Sequence, residues 1–213
     1  MEAIETMETK LVRAELYNDD EPMNPREDYD NFGKMICFHR DYNLGDKHNY
    51  EENMFNNLDE IEAQLIDDYK PAVILPLYLY DHSGLTISTG PFDCRWDSGK
   101  VGFILVSRKD ALKEFGGKRL TKNIKDKCEK LLQGEVETYD QYLRNDVYGY
   151  KIIDKRDDED LDSCWGFFGI SYAKEEMKNQ LKYWERYAEL KNDIKGQTIM
   201  EEILPEDFEI KVA

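Results

Sequence analysis

The chain has 213 residues, 40% of them hydrophobic and 35% charged, and its 29 lysines and arginines face 46 aspartates and glutamates for a net charge of −17. A domain typically runs ~100–200 residues, so the length fits one domain whose core needs no disulfide staples. The charge excludes a nucleic-acid binder coated in positive surface, and no apolar run approaches the ~18 residues of a membrane span.

Four cysteines, Cys37, Cys94, Cys128 and Cys164, are widely spaced, and only three histidines accompany them. No C-x-x-C unit and no zinc-finger spacing exists, which predicts reduced thiols in a cytoplasmic protein. Residues 1–10 have neither a basic n-region nor an apolar h-region, so no signal peptide is expected. The acids concentrate before residue 70 and after residue 150, while residues 108–130 hold nine basic side chains against four acids. That basic stripe suits the solvent face of a helix, with phosphate contact as the alternative.

In chain order, residues 1–9 read as an acidic leader and 10–17 as a strand. A polar loop with Pro22 and Pro25 follows, then a second strand over 34–39, expected to pair with the first. Residues 57–69 form a helix: Leu58, Ile61, Leu65 and Tyr69 make one apolar stripe and Asn57 can cap it. The run AVILPLYLY (72–80) is a buried strand in which Pro76 demands a bulge or an edge. Strands follow at 85–88 and 101–107, then a short helix capped by Ser107 and closed by Gly116-Gly117. Thr121 starts another helix, which Gly134 is expected to stop. Residues 135–143 and 147–153 read as a hairpin, 154–162 as an acidic loop, 163–169 as a strand and 174–194 as a long helix with Met177, Leu181, Trp184 and Ala188 inward. Residues 196–213 read as an acidic tail. The expectation is a single α+β domain over 1–213 with its folded core at 10–195: a mainly antiparallel sheet with about three to four helices packed on it.

Chemistry has few candidates. His82 lies at a strand end beside Asp81 and Ser83, and Cys94 and Asp97 share the segment Cys94-Arg95-Trp96-Asp97-Ser98-Gly99. A thiol enzyme would use Cys94 or Cys164 as nucleophile, His82 as base and Asp97 to orient it. A metal site could draw on Asp81, His82, Asp97 and Asp162. The opposing reading is ordinary: Asp-Ser-Gly is turn chemistry, and most tryptophans and cysteines are packing. Phosphate-loop, dinucleotide, zincin and nucleophile-elbow motifs are all missing, and no cofactor or metal is expected. The acidic loop lacks the glycine and ligand spacing of an EF-hand.

Several segments, taken together, carry a resemblance: NPR (24–26), DNFGKM (30–35) and YNLGD (42–46), then LYLYDHSG (77–84) and WDSGKVGFI (96–104), then YDQYL (139–143), VYGY (147–150) and DSCWGF (162–167). Over about residues 22–170 this set resembles a widespread family of uncharacterised proteins carried by bacteriophages, plasmids and other mobile elements. The resemblance transfers no catalytic residue. It implies a small acidic protein in the host bacterial cytosol that binds defence machinery, whose nucleic acid lies in basic channels. The expected partner is therefore a host nuclease or CRISPR effector with such a channel, with no direct nucleic-acid contact. Its expected contacts are Glu27, Asp28, Asp30, Asp59, Glu62, Asp67, Asp68, Asp157, Asp158, Glu159 and Asp160. Two alternatives stay open: a small cytosolic enzyme acting on a nucleotide or signalling molecule through His82, Cys94, Asp97 and Cys164, and an accessory protein with no catalytic site.

Overall fold

The computed structural model describes residues 2–51, 54–94 and 96–193. The protein is α+β with mainly antiparallel sheet: two four-stranded sheets and four helices among the described residues. In chain order these are β1 (Glu5–Glu8), β2 (Val12–Asn18), β3 (Lys34–Cys37), α1 (Leu58–Tyr69), β4 (Pro71–Asp81), β5 (Leu85–Ser88), β6 (Ser98–Ser107), α2 (Arg108–Phe115), α3 (Lys122–Leu143), β7 (Val147–Asp154), β8 (Asp160–Phe168) and α4 (Ile170–Asp193). No helix among the described residues is long and apolar enough to cross a membrane. The elements group into two compact units, one built from β1, β2, β7, β8 and α4, the other from Asp19–Val147.

The first unit is a sheet of order β1-β2-β7-β8 with α4 against it. β2 and β7 run antiparallel from Val12 opposite Asp154 to Asn18 opposite Tyr148. Alternate residues point the same way along a strand, so Val12, Ala14 and Leu16 join Tyr150 and Ile152 on one face. Ala173, Met177, Leu181 and Ala188 of α4 close that core at helical spacing. The segment expected to be only a leader supplies β1, paired to β2 from Glu5 opposite Leu16.

The second unit has strand order β3-β6-β4-β5 and is covered on both faces. β6 therefore reads as a continuous buried run rather than an alternating one, with Val101 to Val106 all buried. Ile104 and Val106 meet Ala111 of α2 and Cys128, Leu132, Val136 and Tyr139 of α3. Phe103 and Leu105 face the other way, onto Ile36 and onto Ile61 and Leu65 of α1. Helix starts follow local chemistry: the side chains of Asn57, Ser107 and Thr121 each accept hydrogen bonds from first-turn amides. Pro76 sits where β4 pairs with β6 alone, before β5 joins at Tyr78, so it has a strand on one side only, the edge position the sequence called for.

Three sequence expectations need correction. β2 and β3 do not pair; β2 lies between β1 and β7, and β3 pairs with β6. The long loop between them imposes no turn geometry that would bring them together. Gly134 does not stop α3, which runs on to Leu143, so residues 135–143 are helix and not half of a hairpin. The core stripe continues through Leu132, Val136 and Tyr139 while Gly134 faces solvent, so packing outweighs the ~1 kcal/mol helix penalty of one glycine. β7 instead forms its hairpin with β8, which begins at Asp160 inside the expected acidic loop. The expected tail, 196–213, lies outside the described residues.

Candidate functional site

α1 packs its apolar stripe against β6 and turns a charged face outward. The helix holds Asp59, Glu60, Glu62, Asp67 and Asp68 and no cationic side chain. Asp59, Asp67 and Asp68 are exposed; Glu62 is half-buried and lies 3.3 Å from Lys100 Nζ. Among the described residues Glu62 is the one carboxylate of this helix in an ion pair. Asp68 accepts from the Tyr50 hydroxyl at 2.7 Å, and burial followed by that hydrogen bond pushes the Tyr50 phenol up. Ile66, 47% exposed, stands two helical turns after Asp59 on the same side, an apolar residue set among acids. The 3.6-residue period that assigned Ile61 and Leu65 to the core also leaves Ile66 outside it, so the sequence held this signal.

The other expected partner contacts lie elsewhere. Glu27, Asp28 and Asp30 are exposed on the loop before β3. That loop is anchored on the α3 side, where the Phe32 and Gly33 amides donate to Glu135, while α1 covers the other face of the sheet. Asp157, Asp158, Glu159 and Asp160 are exposed in the β7–β8 turn of the first unit. Two of them meet cations there, Asp158 at 3.4 Å from Arg13 and Asp160 at 3.3 Å from Lys151. The basic stripe runs over the solvent side of α2, the connection holding Lys118 and Arg119, and the first turns of α3, with all nine cations exposed.

A second grouping forms at the far end of β4. The β4–β6 ladder ends with the Asp81 amide donating to the Asp97 carbonyl at 2.8 Å, which sets the two segments side by side. His82 Nδ1 and Cys94 Sγ each lie 3.5 Å from Asp97 Oδ2. The Ser98 hydroxyl donates to the Cys94 carbonyl and tightens the turn. Tyr80 packs its ring against Phe92 and His82, and Trp96 stands fully in solvent. The structure thus brings His82, Cys94 and Asp97 together, whereas Cys164 is an exposed residue of β8 in the first unit. The carboxylate, not the imidazole, is the group that receives the thiol hydrogen bond, unlike a pair in which histidine takes the proton of the nucleophile. His82 is 63% and Asp97 40% exposed, so little shields them from water. Among the described residues no group of three or more His, Cys, Asp or Glu side chains could hold a metal. Asp162, offered for such a site, accepts instead from the Trp184 indole at 3.3 Å.

Comparison with known proteins returns no match to a family model, to a curated protein or to a solved structure.

Proposed function

We propose that the protein is a non-enzymatic acidic binder that inhibits a host nucleic-acid-targeting defence complex, a nuclease or CRISPR effector, by occupying its basic channel with α1. The observation that carries this reading is the exposed surface of α1: four exposed carboxylates, Asp59, Glu60, Asp67 and Asp68, no cation on the helix, and an exposed Ile66 as apolar anchor. Fixed carboxylates compete for lysines and arginines that otherwise hold phosphates, and an apolar contact at the centre of the patch adds the directional part of the affinity. The class of partner rests on the resemblance to mobile-element proteins.

The test is a tagged pull-down from bacterial lysates containing restriction and CRISPR nucleases, washed across a salt series, then DNA competition with the purified nuclease. The expected result is one nuclease released as salt rises and displaced from the protein by DNA. The double reversal Asp59→Lys with Asp67→Lys is expected to weaken binding by about tenfold or more, or ~1.4 kcal/mol. Unchanged affinity in that variant removes channel mimicry by α1.

The convergence of His82 and Cys94 on Asp97 favours a second reading, an enzyme acting on a nucleotide or signalling molecule. It requires His82→Ala and Cys94→Ala to abolish the protein's effect on phage plating in a nuclease-armed host without lowering its melting temperature. Full retention of that effect rejects it.

A further inference from the structure

A cleft of about 370 Å³ opens on the α1 side of the second unit, lined by Lys34, Lys47, His48, Asn49, Tyr50 and Tyr69. In a chain with 46 acidic residues, this cleft is lined by two lysines and no carboxylate. Its size falls in the range of small-molecule sites. The sequence passes over it because its residues come from β3, from the loop after it and from the end of α1.

Each lining group has a distinct capacity. Lys34, half-buried at the start of β3, has no ion-pair partner among the described residues. Lys47 is 92% exposed and lies 3.6 Å from Glu27, a surface contact that a stronger anion can displace. Tyr50 and Tyr69 present aromatic surface, and both pack on the core beneath α1. His48 is held between Phe38 and Tyr50, with ring centroids at 5.0 and 5.9 Å. Its Nε2 lies 2.9 Å from the Cys37 carbonyl oxygen. A carbonyl only accepts, so Nε2 carries the proton. Nδ1 is buried, with no hydrogen-bond partner among the described residues, and is closed to a ligand in the cleft.

The geometry points to a binding site for a nucleoside monophosphate. The phosphate is held by Lys34 and Lys47. The base packs on the tyrosine rings. Asn49, which both donates and accepts, is suited to a base edge. The protein's net charge repels anions as a whole, so affinity here has to come from these local contacts and not from a general attraction. The site does not include His82, Cys94 or Asp97, and it adjoins α1, which supplies Tyr69 and whose Asp68 accepts from Tyr50.

The test is calorimetric titration of the full chain with AMP, GMP, CMP and UMP, and with inorganic phosphate and a short oligothymidylate for comparison. At least one monophosphate is expected to saturate with a Kd below about 1 mM, while inorganic phosphate is at least about tenfold weaker. Lys34→Gln and Lys47→Gln are each expected to weaken that binding by about fivefold, while Lys109→Gln, on α2, leaves it unchanged. Four results overturn the proposal: no saturating monophosphate, inorganic phosphate binding as tightly as the best monophosphate, tighter binding of the oligonucleotide, or equal affinity in Lys47→Gln. Lys47 is almost fully exposed, so that last variant reports on binding even if Lys34→Gln disturbs β3.

Discussion

Arg26 and Glu135 form a buried ion pair across 109 positions of chain, Nη1 donating to Oε2 at 2.9 Å. The Arg26 side chain is fully covered. Its Nε and Nη2 donate to both oxygens of Asp46 at 2.8 and 2.9 Å, and Nη2 also reaches the Gly33 carbonyl at 2.8 Å. Burial alone would lower the guanidinium pKa; the hydrogen bonds to Asp46 and Glu135 outweigh it and raise the value. One side chain thus fastens the loop before β3, the turn after it and α3.

Arg26→Ala leaves Asp46 and Glu135 poorly solvated without their cation and is expected to cost about 3–5 kcal/mol. Glu135→Gln keeps an oxygen for the Phe32 and Gly33 amides but loses the charge and the Oε2 acceptor of Arg26, whose guanidinium keeps Asp46, so a smaller loss of about 1–3 kcal/mol is expected. Urea unfolding of both variants checks the order. A stability for Arg26→Ala equal to the parent would contradict the clamp.

Gly102 lies opposite Cys37 in the β3–β6 ladder, and a Cβ there would sit 2.0 Å from the Ile36 carbonyl oxygen and 2.8 Å from Cys37 Cα. Both obstacles are backbone, so no rotamer change relieves them. Gly102→Ala is expected to push β3 off the sheet edge and cost about 1–3 kcal/mol. Amide hydrogen exchange reads it directly: β3 should lose protection before β4 does. Equal protection of both strands in the variant would show that the edge gives way easily.

The four thiols should alkylate in a fixed order. Cys164 is exposed and Cys94 half-buried, whereas Cys37 and Cys128 are buried. Burial pushes the Cys37 thiol up to about 12 and raises that of Cys128 as well, so neither offers appreciable thiolate at pH 8. Peptide mass spectrometry after timed iodoacetamide treatment should find Cys164 modified first and Cys94 next. Cys37 and Cys128 should react only in urea. Early modification of Cys37 would mean that the core beneath α3 opens far more often than its packing suggests.

What the sequence revealed depended on how local the signal was. Asn57, Ser107 and Thr121 cap their helices as read, because a cap is a contact between near neighbours. Residues 135–143 misled because Gly134 reads as a helix stop, while Val136 and Tyr139 extend a helical stripe begun at Cys128. β1 went unseen because Glu5–Glu8 alternates half-buried with exposed residues and buries little of itself. The meeting of His82, Cys94 and Asp97 depends on the β4–β6 register, which no short window contains. The Arg26 clamp was hidden for the same reason: its partners lie 20 and 109 residues away.

The two-part sheet arrangement bears on synthesis. β2 emerges early, yet its inner neighbour β7 is made only after the whole of Asp19–Val147. That intervening segment begins and ends side by side, with the Asp19 amide donating to the Val147 carbonyl at 2.9 Å. It can close on the ribosome while Val12 still waits for Asp154. β7, β8 and α4 then arrive as a clasp that gathers up the first strands, and a ribosome that stalls before them is left with an unmated β1–β2 hairpin ahead of the closed segment.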